Sequence, residues 1–140
     1  MRICFIISLF ICFPVYAAGF DGSARARVER VIDGDTIKMR VAIWLDQEIL
    51  VSVRLADVDA PELFRPKCEE ERRKAKAAKA FVETFLQGGE ADLQEIERGK
   101  YAGRVVARIK TDRGDLSRAL VAAGLGVDGR RGDWCNNVRY

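Results

Sequence analysis

The chain contains no histidine. Histidine is the usual general base near neutral pH and the commonest metal ligand. Its absence excludes Ser-His-Asp triads, Cys-His pairs and zinc centres built on imidazole. Catalysis here has to use carboxylates, Arg, Lys, Tyr, Cys or a metal held by oxygen. An excess of either charge is also missing: 24 basic and 21 acidic residues leave a formal +3. That is a mild lean toward anionic partners and does not by itself predict nucleic acid. With 140 residues there is room for one domain with one sizeable core, and not for two. No internal repeat or low-complexity segment interrupts it.

Cysteine is sparse, at four residues, and unevenly placed. Cys4 and Cys12 fall in the apolar run ICFIISLFICFPVYA, which follows Arg2 and leads into small residues. A short basic start, an apolar stretch and small residues after it predict a secretory signal peptide over 1–18, cleaved after Ala17 or Ala18. The alternative, a membrane anchor, is disfavoured by Pro14 and by the short run. Lipidation at Cys12 is disfavoured by the bulky Ile11 before it. Export followed by cleavage leaves Cys68 and Cys135, and a pair of cysteines in an oxidising compartment predicts a disulfide. Closing so long a loop stabilises by about 4 kcal/mol in the loop-entropy picture, less any strain.

The remaining chain, 24–140, reads as one domain. Val28, Val31 and Ile32, then Ile37, Met39, Val41 and Ile43, make two strand-like runs around Asp33-Gly34-Asp35, a hairpin signal. A second turn at 45–48 leads into the alternating ILVSVRLADV, which Pro61 stops. A helix follows over FRPKCEEERRKAKAAKAFVETFLQGG, with Ala75, Ala78, Phe81, Val82 and Phe85 on one stripe and Gly88-Gly89 at its end. Its dense charge is most simply a solvated outer face. Strands ADLQEI and VVARIKT flank the loop ERGKYAGR, and a short helix LSRALVAAGLG precedes a polar, turn-rich tail. Five strands, one helix after the third and another after the fifth, predict an α+β, mostly β fold: a five-stranded barrel of the oligonucleotide-binding (OB) type with two or three helices.

Three stretches carry candidate chemistry: VIDGDT at 31–36, RLADVDAPE at 54–62 and GKYAGR at 99–104. Taken singly, DGD is a turn, APE a helix start and Arg54 a surface ion-pair partner. Taken together, the turn after the first strand and the end of the third would bring Asp35 near Asp59 at one barrel end. Two carboxylates, a backbone carbonyl and waters are what a hard cation such as Ca²⁺ takes.

These residues resemble the staphylococcal nuclease (thermonuclease) family, a calcium-dependent nuclease on an OB barrel, over roughly residues 25–127. The paired DGDT and R-x4-D-x-P-E spacings carry the resemblance. It implies Asp35 and Asp59 as calcium ligands, with the Ala60 backbone carbonyl beside them. It implies Glu62 as the group that activates water, and Arg54 and Arg104 as the grip on the scissile phosphate. Lys100 and Tyr101 stand as candidate substrate contacts, in a loop one residue longer than the family type. The tyrosines that pack on the nucleotide in that type are absent from the stretch GVDGRRGDW at 126–134, so base stacking is lost or falls to Trp134. The implied activity is hydrolysis of DNA and/or RNA to 3′-phosphate products by an exported, periplasmic or secreted monomer, with no stable membrane association after leader removal. A catalytically inactive nucleic-acid-binding module is the alternative; a barrel that binds peptides or glycans has no feature in its favour. Asp57, without a family role, is expected to pair with a surface cation.

Overall fold

Alternation decides the strands. In β2 (Thr36–Trp44) Ile37, Met39 and Val41 are buried while Lys38 and Arg40 between them face outward, the period-two pattern of a sheet with one face on a core. The same holds in β3 (Gln47–Leu55), where Val53 and Leu55 are buried and Ser52 and Arg54 are not. The computed structural model describes residues 22–129 and 131–136. The expected signal peptide, with Cys4 and Cys12, lies outside the described residues.

β1 (Ala24–Val31), β2, β3, β5 (Glu90–Arg98) and β6 (Arg104–Thr111) form a sheet in the order β3-β2-β1-β5-β6. Parallel pairing of β3 with β6 closes it into the expected five-stranded barrel. Closure removes the open sheet edges on which strands aggregate. Ile37, Met39, Leu55, Leu93 and Ile109 fill the interior, all at most 2 % exposed. The β2–β3 turn is tighter than expected: the strand resumes at Gln47, with Asp46 at φ +57.

Helix α1 (Glu69–Phe85) starts where Cys68 Sγ accepts a hydrogen bond from Glu71 N, and Glu69, Glu70 and Glu71 occupy its first turn, favourable to the helix dipole. Its buried face is Glu71, Ala75, Ala78 and Val82, an i, i+4, i+7, i+11 stripe. The outer face carries the pairs Glu69–Arg72, Glu70–Arg73 and Lys79–Glu83, as expected of a solvated surface. Leu86 closes the helix, and Gly89 follows at φ +77. Helix α2 (Leu116–Ala122), capped by Asp115, covers one barrel end with Leu116 and Leu120.

Three two-residue strands escaped the sequence pattern, being too short to show a period. β7 (Gly114–Asp115) folds back to pair antiparallel with the end of β6, while β4 (Val58–Asp59) pairs with β8 (Val127–Asp128). Among the described residues there are two helices, so no third helix follows α2 there. Cys68 and Cys135 are disulfide-bonded, with their Cα atoms 6.0 Å apart.

Candidate active site

The turn between β1 and β2 is held before any side chain is considered. Ile32 N and Asp33 N both donate to Thr36 O, and Asp33 Oδ1 accepts from Asp35 N at 3.2 Å, the local bond that suits Asp to turns. Asp35 O accepts from Leu55 N at 2.8 Å, fixing the turn to the end of β3. Gly34 lets it lie against α1: a Cβ there would come within 2.8 Å of Ala78 Cβ and 2.9 Å of Ala60 Cβ.

Asp35 is thereby buried, at 5 % exposure. Its Oδ1 accepts from Thr36 Oγ1 at 2.9 Å and from Arg54 Nη1 at 2.8 Å, and its Oδ2 from Ala60 N at 3.2 Å. Arg54 reaches it because β2–β3 register pairs Thr36 with Arg54. The same guanidinium donates through Nη2 to Asp59 Oδ1 at 3.2 Å, and Asp59 Oδ2 accepts from Gly132 N at 3.0 Å. Burial pushes the Asp35 carboxyl up to about 6, against the attraction of Arg54 and with help from the nearby Asp33 charge. The fold holds an acid here in surroundings that disfavour its ionised form.

Asp35, Arg54, Asp59 and Glu62 line one cavity of about 220 Å³. Glu62 is on its exposed side, with Oε1 accepting from Phe64 N at 3.0 Å. The expected approach of Asp35 and Asp59 is present, mediated by a cation of the protein itself. At Ala60 the recorded contact is the N–H, donated to Asp35.

Arg104 is not among the residues lining that cavity. It lies at the start of β6, in parallel register with Ser52 and therefore on the outward face that also carries Arg54, displaced by two residues or about 7 Å along the strands. Its guanidinium carbon is 5.7 Å from the Tyr101 ring centroid, as is Lys100 Nζ, and Tyr101 is exposed. The extra residue of this loop is absorbed in a closed turn: Gly99 N donates to Arg104 O, Arg104 N to Tyr101 O, and Gly103 sits at φ +73.

Three features were not legible beforehand. Glu71, 4 % exposed, accepts from Glu62 N at 3.3 Å and Lys67 N at 2.6 Å. It thus ties the segment carrying Glu62 to α1. Extrapolating the Ala75–Ala78–Val82 stripe back by four residues lands on Glu71 and could have found it. Gly132 supplies its N–H to Asp59, and a Cβ there would strike the Trp134 indole at 2.4 Å. Trp134 bears against one of the two expected alternatives, base stacking on its ring: it is 7 % exposed, with Lys74 Nζ 5.9 Å from the ring. It is a packed wall of the cavity and not a free platform for a base. Asp57 pairs with Arg108, as expected of a surface pair.

The donor chemistry around the cavity suits a hard cation. Its acids are oxygen donors without thiolate or imidazole, and the disfavoured charge on Asp35 is what a bound cation would stabilise. Among the described residues no group of three or more such side chains is arranged to hold a metal. Asp35 and Asp59 would therefore need carbonyl, water or substrate oxygens to complete a shell.

The model of the family described as staphylococcal nuclease homologue matches residues 52–134. Arg54, Asp59, Glu62, Cys68 and Arg104 fall inside the match; Asp35 lies before it and Cys135 just after it. No curated protein matches the chain.

Proposed function

Because the chain belongs to the staphylococcal nuclease homologue family, we propose that it is a calcium-dependent nuclease that hydrolyses phosphodiester bonds of DNA and/or RNA. The observation that carries this reading is Arg54 joined to both Asp35 and Asp59 in a cavity with Glu62 on its exposed side. A guanidinium is the natural partner for the phosphoryl oxygens, because its fork matches them and it stays protonated. In this reading substrate phosphate takes over bonds that the two carboxylates now receive from Arg54.

Asp35, Asp59 and the Ala60 carbonyl would hold Ca²⁺, which supplies positive charge beside the developing phosphorane and favours deprotonation of nearby water. Glu62 accepts the proton of the attacking water, a role open to a carboxylate in a chain without imidazole. The water oxygen bonds to phosphorus while the bond to the 5′ oxygen breaks. The 5′ oxygen leaves and takes a proton from solvent water, and a 3′-phosphate remains. Arg54 and Arg104 bind the oxygens on which charge accumulates. Glu71 keeps Glu62 in place through the backbone. We assign the protein to an exported location, periplasmic or secreted, a reading supported by the Cys68–Cys135 bond.

The test incubates purified mature protein with single-stranded DNA and with RNA, in Ca²⁺ or in chelator. Cleavage is expected with calcium only, and Glu62→Gln and Arg54→Ala are expected to abolish it. A wild-type protein that binds strands and cuts nothing with any divalent cation would make the domain a binding module instead.

A further inference from the structure

The outward face of the closed barrel carries a second group of polar side chains beside the cavity. Register pairs Lys38 of β2 with Ser52 of β3, and Ser52 with Arg104 of β6. The three residues form a row across three adjacent strands, one step along from the row Thr36–Arg54–Val106. All three side chains point outward, because Ile37, Met39 and Val53 between them are fully buried. Lys38 Nζ lies over the middle of the row, donating to Ser52 Oγ at 3.4 Å. With strands about 5 Å apart, the backbones of Lys38 and Arg104 are about 10 Å apart. Two long cationic side chains therefore flank a central hydroxyl.

Charge pairing separates this row from its neighbours. One step further from the cavity, Arg40 is bound to Glu29 at 2.7 Å. On β1, Arg27 is bound to Glu48 at 3.0 Å. On the cavity side, Arg54 is bound to two carboxylates. Among the described residues no carboxylate pairs with Lys38, Arg104 or Lys100. The strand surface next to the cavity thus holds cations that the protein does not neutralise, around a hydroxyl that can both donate and accept. An ammonium, a guanidinium and a hydroxyl at this spacing suit one tetrahedral oxyanion.

Resting on the nuclease reading, we propose that Lys38 and Ser52 form a subsite for the phosphate adjacent to the scissile one, with Arg104 at the far end of the same row. A single strand then crosses the barrel from the Arg54 row to the Lys38 row and leaves past Tyr101. The contact is to the backbone, so the subsite raises affinity for strands over mononucleotides without reading sequence.

Binding and cleavage of a single strand of about ten nucleotides are compared for wild type, Lys38→Gln, Ser52→Ala and Lys76→Gln. Lys76 is exposed on α1 and removes the same charge elsewhere. For Lys38→Gln, affinity is expected to fall about tenfold. The slope of log affinity against log salt should become shallower by about 0.7, the value for one lost single-strand phosphate contact. Ser52→Ala should weaken binding less and leave the slope alone, and Lys76→Gln should match wild type in both. Replacing single phosphates by uncharged methylphosphonates should then remove the Lys38→Gln effect only at the linkage beside the cut. Equal behaviour of Lys38→Gln and Lys76→Gln would overturn the subsite and leave the nuclease reading standing. A wild type that binds strands without cutting them would overturn the nuclease reading, while the slopes would still judge Lys38. If wild type neither binds nor cuts, both fall.

Discussion

Arg54 and Arg108 each gather carboxylates from separate parts of the chain, at different depths. Arg54 joins Asp35 and Asp59, whose side chains are 7 % and 27 % exposed. Arg108 joins Asp57 and Glu95, at 58 % and 67 %, with Asp115 further off at 3.7 Å. The arginines themselves do not explain the contrast, since Arg54 is the more exposed of the two, 35 % against 23 %. The buried acid does. At Asp35 desolvation outweighs the attached guanidinium, and the carboxyl is pushed up to about 6. At Arg108 the hydrogen bond to Glu95 holds the guanidinium above its ordinary value, so the fold favours the charged state. One cluster keeps charge in surroundings that disfavour it, as catalytic sites commonly do. The other is a surface tie.

The largest expected difference between the clusters is in turnover. Arg54→Ala should lower calcium-dependent cleavage by at least about 10²- to 10³-fold, the usual cost of removing one preorganised donor to a charged transition state. Arg108→Ala should leave the rate close to wild type. Initial rates on a labelled single strand measure both. Comparable losses would mean that Arg108 also works on the substrate and that depth does not separate the clusters.

Much of this contrast could be read in advance, and the unread part has a physical cause. Arg54, Asp59 and Glu62 stand in one short stretch whose spacing is informative, and the period-two runs identify the barrel strands around them. Glu71 looked like any charge on an outer helix face, because nothing local distinguishes it from Glu69 and Glu70. Only the stripe of Ala75, Ala78 and Val82 singles it out. Gly132 and Trp134 reach the cavity through the Cys68–Cys135 bond and the pairing of β4 with β8, contacts of long sequence separation that no local pattern encodes. The placement of Arg104 outside the cavity depends on the parallel β3–β6 register, which is likewise a property of barrel closure.

Removing the disulfide probes the deep cluster from its far side. Cys68→Ala with Cys135→Ala opens a loop of 67 residues and should cost about 4 kcal/mol, less any native strain. Denaturant midpoints measure the loss. The bond also anchors the segment that gives Asp59 the Gly132 N–H. Cleavage rate should therefore fall even where the variant is still fully folded, whereas the Arg108 cluster, which has no partner in that segment, should be untouched. A variant with wild-type turnover would show that Asp59 does not need this support.

Acidity sharpens the comparison next. The folded Asp35 carboxyl titrates near 6, against an ordinary 3.8. Between these values the folded state holds a proton that the unfolded chain has released. Unfolding in that window releases a proton, so stability falls as pH rises from about 4 to about 6, by roughly 3 kcal/mol in all. In chelator, subtracting the profile of Asp35→Asn from that of wild type should isolate this fall. On the proposed metal assignment, Ca²⁺ at pH 7 should return stability in proportion to its occupancy, about 2.7 kcal/mol at a hundredfold excess over Kd. A flat difference profile would mean that Arg54 fully compensates the burial.

The smallest effect belongs to the surface cluster. Arg108 makes its close pairs with Asp57 and Glu95, which are mostly solvated, and meets the 9 % exposed side chain of Asp115 only at 3.7 Å. Water already screens much of the attraction in the close pairs, and ordering long side chains costs entropy. Arg108→Ala should therefore change stability by about 1 kcal/mol or less, and raising salt should shrink even that. Asp57, at φ +57, provides a separate check. Asp57→Gly removes the acid but suits the left-handed backbone, so its loss of pairing and its gain in backbone fit should nearly cancel. Thermal midpoints of the two variants in low and high salt distinguish these contributions. A large, salt-insensitive loss on removing Arg108 would show that this tie is as desolvated in effect as the one at Arg54, and exposure would then be the wrong measure of what separates the two clusters.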